Sequence, residues 1–307
     1  MVTTMFLWGV SFVASKIVID AIGPVPYMGI RFLLAGAVLA AVVAVIGRPR
    51  FALSTHALIA ATALAEPIAY FLFESYGLAI IGATTTSLII ALIPLAVMLL
   101  AAAFLGESLH LRGVVAVFIS IAGVALLVYG GDIVRANASV GNAAVATLDP
   151  AVRTRGVLLV LGAVFAAAGY ITMARSLTQK HDPVRLTVVQ TWWGAAFFVS
   201  LWQIRTPGLE TVSAMSPLVW GALAFLVLGA TVAAFLLYNW ALRYETAGTA
   251  SLYINAIPVI TAVTAWAVLG ERLVSLQWAG AALVLAAVRL SSRRSRRATA
   301  KTITTEA

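Results

Sequence analysis

Residues 71–109 read FLFESYGLAIIGATTTSLIIALIPLAVMLLAAAFLGESL, and residues 235–273 read FLLYNWALRYETAGTASLYINAIPVITAVTAWAVLGERL. Laid over one another at an offset of 164, they agree at 16 of 39 positions. The matches include Phe71/Phe235, Leu72/Leu236, Thr85/Thr249, Ser87/Ser251, Pro94/Pro258 and the pair Gly106-Glu107/Gly270-Glu271. Upstream, at an offset of 159, Lys16 falls on Arg175 and Arg31 on Gln190. The chain therefore divides into two related halves, 1–130 and 155–291. A small, turn-rich linker at 131–154 joins them, and a basic tail follows at 292–307.

Apolar segments of the length a bilayer needs, about 20 helical residues, recur five times in each half. They cover 2–21, 26–46, 57–80, 84–105 and 112–130, then 156–177, 184–204, 216–242, 249–269 and 275–291. The expected fold is all-α, a polytopic membrane protein of ten transmembrane helices. The runs are continuous, without the alternation of a barrel strand. Five is odd, so the second half is expected to enter the membrane from the opposite side, giving an inverted 5+5 repeat. Halves related in that way supply one state open to each side, as in secondary transporters. A repeat kept only for packing is the competing reading.

Composition agrees. Hydrophobic residues make up 62% and charged residues 10% of 307, with a mean hydropathy of +1.03. Soluble domains are about 25% charged, so a water-exposed surface is excluded. No cysteine is present, which excludes a disulfide scaffold and thiol chemistry. The net charge of +9 reads as a topology signal rather than a nucleic-acid surface, because six basic residues cluster from Arg289 onward. With the N-terminus inside, the cytoplasmic loops and tail hold 13 Lys and Arg against 5 on the other side. Both termini are therefore expected in the cytoplasm and the linker outside it, in a bacterial inner membrane. The first segment has no basic leader before it and runs into Lys16, which reads as a retained helix rather than a cleaved signal. Only seven residues precede Trp8, so helix 1 is short at its cytoplasmic end: either the natural start lies upstream or that end is clipped.

Leu7-Trp8-Gly9, the Pro94…Gly106-Glu107-Ser108-Leu109 end of helix 4 and its copy Pro258…Gly270-Glu271-Arg272-Leu273 carry a resemblance. The chain resembles the EamA family of the drug/metabolite transporter superfamily from residue 5 to about 290, with YddG-type amino-acid exporters among its characterised relatives. The resemblance implies export of small metabolites, often amino acids, through a central cavity lined by helices from both halves.

Ionisable groups inside spans are costly and mark function by default. The first half has four: Lys16, Arg31, Glu66 and Glu74. Glu66 and Glu74 are expected on one stripe of helix 3, with Tyr70 between them. Glu66, near mid-membrane, is a candidate proton-coupling or amine-binding carboxylate. Glu74 with Lys16 or Arg31 is expected to form an outer gate; structural ion pairs and helix-end snorkels are the alternative. The second half carries Tyr238 for Glu74, Gln190 for Arg31 and Asn255 for Ala91. The outer part of the path is thus expected to handle charge and the inner part hydrogen bonds and rings.

Trp8, Tyr70, Tyr170 and Tyr238 are candidates to stack on a solute, though Trp and Tyr also collect at membrane interfaces. Trp8, Ser11 and Ser15 share one stripe of helix 1. Ser87, Ser251 and Asn255 supply candidate hydrogen bonds near Pro94 and Pro258, which mark either a substrate-side break or a packing kink. Glu107 and Glu271 are expected to meet free N–H groups at the start of helix 5 or 10. Helices 1, 3, 4, 6, 8 and 9 are expected to line the cavity. His56, His110 and His181 are unclustered, and no phosphate loop or metal motif occurs. No enzyme, metal or cofactor is expected, and the protein is expected to work as a monomer on a small-molecule substrate. An exporter of cationic amines or drugs, and a passive facilitator, remain as alternatives.

Overall fold

The computed structural model describes residues 1–47, 51–105, 111–137, 149–205, 215–245 and 253–292, together with Val212 and Ala250. The linker core, the basic tail, Glu107 and Ser251 lie outside the described residues. Among the described residues there is no strand. The helices are α1 (Val2–Ile22), α2 (Pro24–Ile46), α3 (Leu53–Ile81), α4 (Ala83–Ile90 and Ile93–Leu105), α5 (Leu111–Asn137), α6 (Pro150–Lys180), α7 (Pro183–Arg205), α8 (Pro217–Leu242), α9 (Ile254–Leu269) and α10 (Ser275–Ser292). Each predicted segment overlaps one of them, with residues 249, 251 and 252 of the ninth segment outside the described residues.

Glycine and proline set the boundaries. Gly23, at φ 81°, closes α1, and Pro24 opens α2 at a position where its missing N–H costs nothing. Pro150, Pro183 and Pro217 open α6, α7 and α8 in the same way. Seven described helices are long and apolar enough to cross a membrane: α1 to α6 and α8. Segments Ile254–Leu269 and Ser275–Leu290 are apolar but shorter. Helix α7 is 23 residues long and carries Arg185, Gln190, Gln203 and Arg205. Large apolar side chains point outward all round, including Phe104, Phe118, Leu158, Val263 and Trp266. Such a surface is unsustainable in water and natural in lipid: this is an all-α polytopic membrane protein.

Equivalent helices of the two halves pack against each other in opposite directions. Along α2 and α7, Gly29 faces Trp202, and Gly36 faces Trp192 and Ala195. Numbers rise on one helix as they fall on the other. Along α5 and α10, Gly130 faces Leu276, and Gly123 faces Gly280 and Val284. The backbones there approach closely: a Cβ on Gly280 would stand 2.6 Å from the Gly123 carbonyl oxygen. Several further contacts survive exchange of the halves. Helix α1 packs on α8 and α9, as α6 packs on α3 and α4; α2 packs on α8, as α7 packs on α3.

The helices nearest the centre are broken, at matching places. In α3 the chain leaves helical geometry at Glu66 (φ −147°, ψ 122°). Pro67 explains this, because proline lacks an N–H and disfavours helix at the residue before it. The expected continuous stripe from Glu66 to Glu74 is therefore corrected to two helical pieces meeting at Glu66. The equivalent part of α8, Leu226–Ala233, widens into π-helix. Helix α4 is interrupted at Ala91 and Leu92, and the chain forms a 3₁₀ turn at Ile254–Ala256 ahead of the α-helical Ile257–Leu269. Both interruptions precede the repeated proline, Pro94 or Pro258.

Candidate functional site

A partly open cavity of about 550 Å³, counting its mouth, lies where these breaks meet. Trp8, Ser11, Phe12 and Ser15 reach it from α1, Arg31 from α2, and Glu66, Tyr70, Phe71 and Glu74 from α3. Helices α4, α6, α8 and α9 add Ile90, Ile93, Ala167, Ile171, Phe235, Tyr238, Ile254 and Ile257. The six expected helices all contribute, and α2 joins them through Arg31. A smaller space of about 230 Å³ adjoins it, lined by Glu66, Thr187, Gln190, Thr191 and Thr231. Glu66 lines both.

Arg31 is 2% exposed and tightly held. Its Nε donates to Thr231 Oγ1 at 2.7 Å, and its Nη1 donates to the Tyr27 hydroxyl. That hydroxyl also shares a 2.7 Å hydrogen bond with Ser15. The Phe71 ring lies 4.5 Å from the guanidinium carbon, in cation–π range. Glu66, 7% exposed, accepts no hydrogen bond from a described residue, and Glu74 accepts only a long one, 3.4 Å, from Ser75. The charges of Arg31, Glu66 and Glu74 act on one another, yet no ion pair joins them among the described residues.

The aromatic wall is built across the halves. Trp8 Nε1 donates to the Ala230 carbonyl at 3.1 Å, an acceptor in the π-helical stretch of α8. Its ring packs on Tyr238 and Phe235, with centroids 4.9 and 5.4 Å away. The Tyr238 hydroxyl is buried without a partner among the described residues, and so is Asn255 Oδ1.

The structure thus gathers Trp8, Ser11, Tyr70, Tyr238, Arg31, Glu66 and Glu74 at one cavity. Of the other sequence candidates among the described residues, none lines it. Tyr170 sits behind the wall, donating to Asn239 Oδ1 at 2.7 Å. Ser87 donates to the Thr84 carbonyl of its own helix, and Asn255 is next to the lining residue Ile254 without lining the cavity itself. Lys16 is a correction: it pairs with Asp20 one turn along α1 and not with Glu74, because an i,i+4 partner on the same exposed face is nearer than any group in the interior. Glu271 is a second. Gly270, at φ 68°, turns the chain back after α9, and the carboxylate accepts from Ala83 N (3.1 Å) and Thr84 N (3.0 Å) at the start of α4, in the other half.

Sequence reasoning missed Pro67 as the breaking residue, along with Thr231, Tyr27 and Asn239 as partners. Pro67 was legible, being a proline directly after an intramembrane Glu. Thr231 was not, since its contact with Arg31 spans 200 residues.

The model of the EamA-like transporter family matches the chain twice, over residues 1–129 and 154–293. The chain belongs to the EamA-like transporter family. It is 26% identical over 291 residues to a transporter of Archaeoglobus fulgidus described as uncharacterized, covering 95% of this chain and 96% of the relative. It is 28% identical over 299 residues to a probable terminal-alkyne amino-acid exporter of Streptantibioticus cattleyicolor, covering 96% and 92%. A solved structure titled only as that of a protein shares the fold at a TM-score of 0.63, with 18% identity over 96% of both chains. The protein is a membrane transporter and not an enzyme.

Proposed function

We propose that this EamA-family protein is a secondary transporter that exports amino acids or related small metabolites across the bacterial inner membrane by alternating access. Its halves, 1–130 and 155–291, form an inverted pair of five helices each, with both termini cytoplasmic. One observation carries the reading: the cavity lies between halves whose equivalent helices run antiparallel, at breaks repeated in both. Discontinuous helices at a repeat interface are where transporters hold solute. The 13-to-5 distribution of Lys and Arg supports the orientation, and the amino-acid exporter among the relatives supports the substrate class.

Solute counterflow in proteoliposomes, with a mixed panel of amino acids, tests this. The wild type is expected to exchange at least one of them above protein-free vesicles. Glu66→Gln is expected to lower that rate about tenfold or more, the effect of losing one charge-assisted contact worth about 1.5 kcal/mol. One feature favours a second reading: two carboxylates face a single guanidinium, which suits a cationic amine. Preferential exchange of lysine or a polyamine in the same panel would establish it. Flux unaffected by an imposed proton gradient would instead indicate a passive facilitator.

A further inference from the structure

We propose that the cavity recognises its solute as a zwitterion with an apolar side chain: the carboxylate on Arg31, the ammonium at Glu66 and Glu74, the side chain against the rings of Trp8, Phe71 and Phe235. This rests on the transporter reading and specifies the solute for its cavity.

Opposite charges lining one cavity in a low-dielectric interior ordinarily collapse into a contact pair. Here they are held apart. Thr231 and Tyr27 fix the guanidinium edge, and the Phe71 ring fixes its face. Two of its five N–H donors are spent in these bonds. The remaining three belong to a side chain that lines the cavity. The same cavity is lined by the Glu66 carboxylate, which has no hydrogen-bond donor among the described residues, and by the Glu74 carboxylate, which has one long one. The Tyr238 hydroxyl, on a side chain 1% exposed, is also without a partner among the described residues and belongs to the same wall. A solute bearing both charges satisfies both ends at once, and the planar guanidinium matches a carboxylate in particular. A monocation leaves the Arg31 donors unmet, and a monoanion leaves two carboxylates unmet. The Ser11 and Ser15 hydroxyls of the wall are already bonded within the protein, to the Trp8 carbonyl and the Tyr27 hydroxyl, and the other lining side chains are aliphatic or aromatic, so the remainder of the solute is apolar.

The test is counterflow of alanine, valine, leucine, methionine, phenylalanine and tryptophan. The fastest of these is then competed by itself, by its amide, which lacks the carboxylate charge, and by its deaminated acid. The intact amino acid is expected to compete at least tenfold better than either analogue. In Arg31→Gln the preference over the amide is expected to fall to near unity, while Arg31→Lys restores part of it. A merely structural Arg31 would lower all fluxes and leave that ratio unchanged. Thermal unfolding in detergent confirms that each variant is folded, and Glu66→Gln gives the reciprocal measurement against the deaminated acid. An amide or simple amine that competes as well as the amino acid overturns the zwitterion assignment, as does flux confined to solutes without both charges. Either result leaves transport standing. Absence of flux for every solute, amines included, overturns the transporter reading itself.

Discussion

The two halves share a backbone plan and differ in chemistry. Arg31, Glu66 and Glu74 of the first half correspond to Gln190, Ala230 and Tyr238 of the second. The first-half charges point unsatisfied groups into the cavity. Most second-half polar groups are bonded, the Tyr238 hydroxyl being an exception: Gln190 donates to Thr62 of the first half at 3.0 Å, Asn239 donates to Thr187 at 2.9 Å and to Gln190 at 3.3 Å, and Tyr170 donates to Asn239. A closed network rigidifies its surroundings, whereas open charges at a cavity are costly to the fold and available to a solute. The difference teaches that one copy of a duplicated bundle carries open charges at the cavity while the other keeps most of its polar groups bonded.

The largest effect that would break this comparison concerns Asn239. Asn239→Leu strands the Tyr170 hydroxyl and Gln190 Oε1 in the interior, and is expected to cost about 3 kcal/mol at roughly 1–3 kcal/mol for each unsatisfied group. A lowered midpoint of thermal unfolding in detergent measures it, with the ratio of amino acid to amide preserved in whatever protein remains folded. Glu66→Gln is expected to run the other way. Removing a buried carboxylate without a hydrogen-bonded partner should raise stability by about 1 kcal/mol while flux falls, so a destabilised Glu66→Gln would sink the division of labour. The smallest effect belongs to Lys16. Its pair with Asp20 is a partly exposed i,i+4 contact, and Lys16→Ala should change stability by less than about 0.5 kcal/mol and leave counterflow rates unaltered.

Much of the molecule is legible in its sequence. Apolar run length, with Gly23 and Pro24, Pro150, Pro183 and Pro217 as punctuation, locates the helices, because local backbone preferences act wherever the chain goes. Arg31, Glu66 and Glu74 stand out as residues of one locality, since a charge inside the bilayer is too costly to keep without a partner or a solute. Sequence reasoning fails where the partner is remote. Depth alone matches Lys16 with Glu74, whereas its partner is Asp20 on the same helix. Chain proximity assigns Glu271 to the neighbouring helix, whereas it caps α4 from the other half.

The amino-acid order by itself determined that the chain is helical, lives in lipid and is built twice, because hydropathy, helix length and repetition are properties of a single strand. Tertiary packing decided which polar groups are satisfied and which remain open. Arg31 is withheld from the carboxylates by Thr231, 200 residues away, and no local rule can anticipate a contact created only when the two halves close on each other.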